Sequence, residues 1–325
     1  MRQGPGGAVW LSDAAVEHLR VVAEEPDLSG TRYELLGLLG RGGMGSVYRA
    51  RDRELGREVA LKVSAVPVPS PGELERLRRE AQILARLEHP GVVPVHDLGL
   101  LPDGRLYYAM KLVRGTRLDE HVGAATLPAR LRIFERICEA VAFAHAQGVV
   151  HRDLKPDNVM VGAFGEVLVL DWGVAKVVGV AEGAAEPAAP AAGGGTAAGT
   201  VLGTPGYMSP EQARGDVDRI DQRSDVYALG AILRWLAVDQ GAPRSDRALT
   251  AIWTRAGAAR PDDRYATVAE LAADVARYLA GERVQAHPEG PLESVRRLAL
   301  KHRTPLALVA AYLAMRVLLA FFTRG

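Results

Sequence analysis

The spacing of apolar residues changes several times along the chain, and each change predicts an element. Residues 33–66 predict three strands: "SVYRARD" alternates apolar and polar positions, "REVALKV" ends the run, and four glycines between Gly40 and Gly45 join the first two strands. The period then lengthens. Leu74, Leu77, Ala81, Leu84 and Leu87 recur at helical spacing and predict one helix over 73–88. Two further strands, "VVPVHDLGLL" and "RLYYAMKLV", are joined by the turn "PDG". Residues 127–147 return to a helical pattern, 148–175 hold short strands between polar clusters, and helices dominate 225–280. A small β-rich front and a larger helical back predict an α+β chain of two lobes, over 33–113 and 114–283.

The ends and one insert depart from these patterns. Residues 1–32 form an extension, Gly-rich at first and then helical in pattern (Ala14, Ala15, Leu19, Val22). It lacks the long apolar core of a secretory leader, so the main body is expected to be cytoplasmic. Residues 179–200, "GVAEGAAEPAAPAAGGGTAAGT", offer little to bury and predict a mobile insert within a domain. After a basic linker over 284–303, the stretch "PLALVAAYLAMRVLLAFF" carries one charge, Arg316. As a helix it would reach roughly 27 Å at about 1.5 Å per residue, close to a bilayer core. Arg296, Arg297, Lys301, His302 and Arg303 precede it, the positive-inside pattern. A mid-membrane arginine costs ~2.5–3.5 kcal/mol, which the apolar side chains offset. The expectation is a single-pass helix over 304–322 that tethers the main body to the cell membrane on its cytoplasmic face; the plainer alternative is an amphipathic helix docked on the domain or lying on the membrane.

Composition narrows the classes. The chain has 325 residues, 48% hydrophobic and 24% charged, enough for a real core. A net charge of +1 gives no global field for nucleic acid or an acidic partner. The single cysteine, Cys138, excludes an intrachain disulfide and lies in an apolar helical pattern as a small buried hydrophobe.

The chemistry begins with Gly40, Gly42 and Gly45, a G-x-G-x-x-G spacing. A dinucleotide fold needs a helix after the last glycine, whereas Val47 and Tyr48 suit a strand. No G-K-[ST] follows, which excludes a P-loop. A glycine loop between strands can instead fold over a phosphate chain, because no side chain blocks its N–H groups. Lys62 of "VALK" stands in an apolar strand: a snorkelling edge residue, unless an anion and a carboxylate such as Glu80 meet it.

"HRDLKPDN", His151 to Asn158, and "VLVLDWG", Val167 to Gly173, follow. In this order the motifs resemble the eukaryotic-like (Hanks-type) protein kinase family in its bacterial serine/threonine branch: a Gly-rich loop, V-A-I-K, a helix glutamate, H-R-D-x-x-x-x-N, D-F-G and A-P-E. "GTPGYMSPEQ" at 203–212 supports the same resemblance, which covers about residues 33–280. It implies a kinase-like fold, ATP and Mg²⁺ as cosubstrate and cofactor, and Ser/Thr hydroxyls of proteins as acceptors. Leu39, Gly40, Gly42, Gly45, Val47, Lys62 and Met110 would line the nucleotide, with Lys62 holding the α- and β-phosphates and pairing with Glu80. Asp153 would accept the hydroxyl proton, Lys155 would contact the γ-phosphate, and Asn158 and Asp171 would hold Mg²⁺. Thr204 would complete the Ser/Thr-type arrangement. Glu211 and Arg264 resemble a buried ion pair of the family, and Asp225 resembles its brace for the catalytic-loop backbone.

The departures are specific. Trp172 replaces the D-F-G phenylalanine, expected to pack beside His151 and Leu84, and Ser209 replaces the A-P-E alanine. Arg152 precedes the catalytic aspartate and implies control by a phosphorylated loop, with Thr196 or Thr200 as autophosphorylation acceptors. Between Trp235 and Leu249 about one family helix is missing, which bears on substrate docking. Two rivals follow: a catalytically silent scaffold and a small-molecule kinase on the same fold.

Overall fold

The computed structural model describes residues 25–42, 45–64, 71–172, 176–177, 206–216, 219–239, 246–288, 290, 308–309 and 311–316. These fall into two compact units, one taking the chain to Arg86 together with Val93–Val113, the other Leu87–Val92 and the chain from Arg114.

Among the described residues the first unit is an antiparallel sheet with one helix. Its strands are β1 (Tyr33–Gly42), β2 (Gly45–Asp52), β3 (Arg57–Ser64), β4 (Val95–Leu100) and β5 (Leu106–Lys111), in the order β1-β2-β3-β5-β4. Helix α1 (Pro71–Arg86) lies between β3 and β4 in the chain and buries Ala81, Ile83 and Leu84. The strand period of two sorts β3 into two faces. Val59, Leu61 and Val63 join Tyr33, Tyr48, Ala50, Tyr107 and Ala109 in one buried cluster. Ala60, Lys62 and Ser64 take the other face. A buried aliphatic side chain of this kind contributes about 1.5–3 kcal/mol, so the cluster fixes the register and a one-residue slip would expose all of it. At the β2–β3 turn the Asp52 carboxylate accepts from the N–H groups of Glu54 and Leu55, both at 3.1 Å.

The second unit is largely helical. After β6 (Gly115–Arg117) and the short α2 (Leu118–His121), helix α3 (Leu127–Ala146) runs through its centre. Leu131, Phe134, Ile137, Cys138 and Val141 make its buried face. Burial pushes the Cys138 thiol well above its ordinary pKa, as a packing role requires. Short strands follow: β7 (Val149–Val150), β8 (Val159–Gly162), β9 (Val167–Val169) and β10 (Lys176–Val177), pairing as β6-β8-β9 and β10-β7. The remaining helices are α4 (Pro210–Ala213), α5 (Gln222–Arg234) with a π-helical extension at Trp235–Asp239, α6 (Arg247–Ala256) and α7 (Val268–Leu279). Their starts are written locally. Asp221, Asp246 and Thr267 cap α5, α6 and α7 by accepting from Arg223, Leu249 and Glu270 N–H groups. Leu87–Val92 belong here because Val169 N–H donates to Gly91 O at 2.8 Å and Val92 bridges Val169.

Only part of the apolar tail is described. Leu308, Val309 and residues 311–316 are helical, and Leu308, Tyr312, Leu313 and Met315 are exposed. Among the described residues, however, no helix is long and apolar enough to cross a membrane. The rest of 304–322, the extension before residue 25, the insert at 179–200, and Thr196, Thr200 and Thr204 lie outside the described residues.

Candidate active site

In the first unit the backbone ladder positions Lys62. The register sets it between Val47 on β2 and Tyr108 on β5. It is 8% exposed, and its ammonium stands 5.8 Å from the Tyr108 ring centroid. That ring face attracts a cation and holds the side chain away from bulk water. Met110 pairs with Ala60 beside it, and Gly40 pairs with Val47. Leu39 is half exposed on β1. The glycines serve different ends. At Gly45 φ is +145°, and a Cβ there would sit 2.1 Å from the Val63 carbonyl oxygen, so β2 and β3 meet at a point where no side chain fits. A Cβ at Gly40 meets nothing within 4 Å. Gly42 pairs with Gly45. Glu80 lies on α1, but its side chain, and so the expected pair with Lys62, falls outside the described residues.

The second unit brings Asp153, Lys155 and Asn158 together. Lys155 Nζ stands 3.0 Å from Asp153 Oδ2. Asn158 Nδ2 donates to the Asp153 carbonyl at 2.8 Å and approaches its Oδ2 at 3.3 Å. The Asn158 carbonyl accepts from Leu170 N–H at 2.8 Å, so the residue just before Asp171 is tied to Asn158. His151 accepts at Nδ1 from Asp153 N–H at 3.3 Å and donates through Nε2 to Leu170 O at 2.9 Å. It thereby joins the two polar segments. Trp172 is buried, its ring centroid 4.6 Å from that of His151 and its Nε1–H donating to Val169 O at 3.2 Å. The larger indole is thus accommodated with its one donor satisfied.

Arg152 and Asp171 hold left-handed backbone, φ +71° and +57°, which costs of order 1 kcal/mol or more in a non-glycine residue. At Arg152 the cost is offset from both sides of the residue. Asp225, in the first turn of α5, accepts the N–H groups of His151 and Arg152, each at 2.8 Å, and His145 Nε2 at 2.7 Å. Gln212 Nε2 donates to the Arg152 carbonyl at 2.7 Å. Burial alone would raise the Asp225 pKa; the bonds and nearby charge of His145 and His151 reverse this and hold it below the usual carboxylate range. Glu211 is similar. Burial raises its pKa, but bonds from Arg264, its own backbone and Ser224 outweigh this and hold it at about 2. Arg264 grips both Glu211 oxygens, at 2.7 and 2.8 Å, with both side chains buried.

The donor set suits a hard cation. Asn158 spends its amide nitrogen on Asp153, which leaves Oδ1 as its acceptor, and Asp171 is an exposed carboxylate one residue from a hydrogen bond to Asn158. Oxygen donors of this kind fit Mg²⁺. Among the described residues no group of three or more His, Cys, Asp or Glu comes together to hold a metal ion.

Sequence reasoning missed His145 and Gln212. His145 had a signal: it falls on the buried stripe of α3 with Phe134, Cys138 and Val141, where an unpaired imidazole would be costly. Gln212 had none beyond its place after Glu211.

Comparison with known proteins places the arrangement. A profile of the protein kinase domain matches residues 33–250. The chain belongs to the protein kinase family. This kinase-family chain is 36% identical over 298 residues to serine/threonine-protein kinase PknB of Mycobacterium tuberculosis, covering 82% of this chain and 45% of that one. It is 43% identical over 210 residues to DNA damage-responsive serine/threonine-protein kinase RqkA of Deinococcus radiodurans, covering 62% and 29%. The chain therefore spans less than half the length of these curated relatives. Among solved structures, the kinase domain of Mycobacterium tuberculosis PknI superposes with a TM-score of 0.56 at 27% identity, covering 76% of this chain and 96% of that one.

Proposed function

We propose that this chain is a serine/threonine protein kinase that transfers the γ-phosphoryl group of ATP to hydroxyls of protein substrates. The observation that carries the reading is the Asp153–Lys155–Asn158 cluster, tied through Leu170 to Asp171. Asp153 accepts a hydrogen bond from the incoming hydroxyl, aims it in line with the phosphoryl group and takes its proton as the new P–O bond forms and the bond from the γ-phosphorus to the bridging oxygen of ADP breaks, ADP leaving with that electron pair. Lys155, beside Asp153, balances the negative charge on the transferring phosphoryl group. Lys62 holds the α- and β-phosphates, and the loop from Gly40 to Gly45 offers N–H groups over them; Leu39, Val47 and Met110 supply apolar walls for the base. Asn158 and Asp171 would hold Mg²⁺, which would neutralise charge on the phosphate oxygens.

The finer reading is a kinase under loop control and held at a membrane. Thr196 and Thr200 offer acceptors for autophosphorylation, and the basic stretch Arg296–Arg303 before an apolar segment supports a cytoplasmic face. A silent scaffold remains the rival, motivated by Trp172 and the short 236–249 region. The satisfied packing of Trp172 weakens its first motive.

The test uses the full chain with labelled ATP, Mg²⁺ and a generic basic protein. Wild type transfers label to protein, and Asp153→Asn lowers the rate by about 10²–10⁴-fold while nucleotide still binds. Nucleotide binding without transfer in the wild type would establish the scaffold instead. Carbonate extraction of membranes tests the tether: release into the supernatant counts against it.

A further inference from the structure

The sequence predicts a basic linker over 284–303; its first residues, 284–288, are described and are bonded back to α7. Helix α7 ends in a Schellman turn: Gly281, at φ +64°, donates to Tyr278 O at 3.0 Å, and Glu282 N–H donates to Arg277 O at 2.8 Å. The chain reverses, and Val284 is buried to 1% exposure. The next two N–H groups then meet one carboxylate. Asp274, fully buried on α7, accepts Gln285 N–H at 2.7 Å and Arg277 at 2.8 Å on Oδ1, and Tyr265 Oη–H at 2.8 Å and Ala286 N–H at 2.9 Å on Oδ2. Burial alone would raise the Asp274 pKa; these four donors reverse the direction and hold it below the ordinary carboxylate range.

We infer that residues 282–288 are a strap latched by the Asp274 carboxylate, and that this latch fixes the point on α7 from which the rest of the chain departs. A buried carboxylate stays ionised only when its oxygens are filled with donors, and two of the four here are backbone groups of the strap. The strap in turn needs the carboxylate, since two consecutive N–H groups aimed at one side chain have no partner in a strand or helix. Val284 adds an apolar anchor just before them. The inference does not depend on the proposed activity.

Hydrogen exchange on the full chain tests it. In the wild type the Gln285 and Ala286 amides are protected about 100-fold or more over an unstructured chain, alongside α7. Asp274→Asn keeps the size but turns an NH₂ group toward donors, and it speeds both amides by about 10-fold or more while those of α3 hold steady. Tyr265→Phe removes one donor and leaves both amides within about 3-fold of wild type, because the latch to the backbone remains. Trypsin reports the same event, since the Arg283–Val284 bond is cut faster in Asp274→Asn than in wild type. Exchange of both amides at the free-chain rate in the wild type would overturn the strap, and this holds even if Asp274→Asn does not fold. An Asp274→Asn protein that folds and keeps wild-type protection would overturn the latch.

Discussion

Lys62 reaches its place through main-chain hydrogen bonds: β2 and β5 flank β3, and the period-two alternation turns the side chain away from the apolar cluster. Asp153 reaches its place through side chains: Asp225 holds two backbone groups of an irregular loop, and Gln212, His151 and Asn158 hold one each. The ladder repeats, so no single side chain decides where Lys62 stands. The loop does not repeat, and each of its backbone groups depends on one buried partner. Two residues of the same family signature therefore differ in how easily a mutation elsewhere displaces them.

The largest expected effect is at Asp225. Asp225→Ala leaves His145 and two loop N–H groups facing a vacant buried space and costs about 3–5 kcal/mol, read as a lower urea midpoint together with lost transfer. An unchanged midpoint would break the contrast. Acid probes the same region next. Glu211 titrates at about 2 when folded against 4.5 ordinarily, so its contribution is whole above pH 4.5 and drains away as pH falls toward 2. Thermal midpoints should hold from neutral pH to about 5 and then fall, and Glu211→Gln should flatten that fall while lowering the plateau. The sheet gives the smaller effects. Gly45→Ala drives a Cβ against the Val63 carbonyl and costs about 1–3 kcal/mol, whereas Gly40→Ala enters open space and costs under about 1 kcal/mol. Equal midpoints for the two alanine variants would show that the tight β2–β3 approach has little bearing on stability.

The same contrast explains what could be read from the chain alone. The strands around Lys62 were legible because alternation is local, and "VALK" carries both the strand and its lysine. Asp153, Asn158 and Asp171 were legible as motif letters, and the brace from Asp225 and the Glu211–Arg264 pair followed from resemblance. The partners that came from afar were not. Gln212 lies 60 residues from the carbonyl it holds, and His145 lies 80 from Asp225. The stripe of α3 could mark His145 as buried, but no periodicity names a partner at that separation. The strap after α7 was hidden for a different reason: its bonds run to backbone N–H groups, which every residue but proline carries. The grouping of Leu87–Val92 with the helical unit likewise rests on a main-chain bridge to Val169.

Arg264 and Tyr265 are consecutive in the chain, and both are buried. The first grips Glu211; the second holds the carboxylate that fastens the strap. The anchor on Glu211 and the hold on the carboxylate at the strap thus sit on neighbouring residues of one buried stretch, so a substitution that shifts this backbone disturbs both.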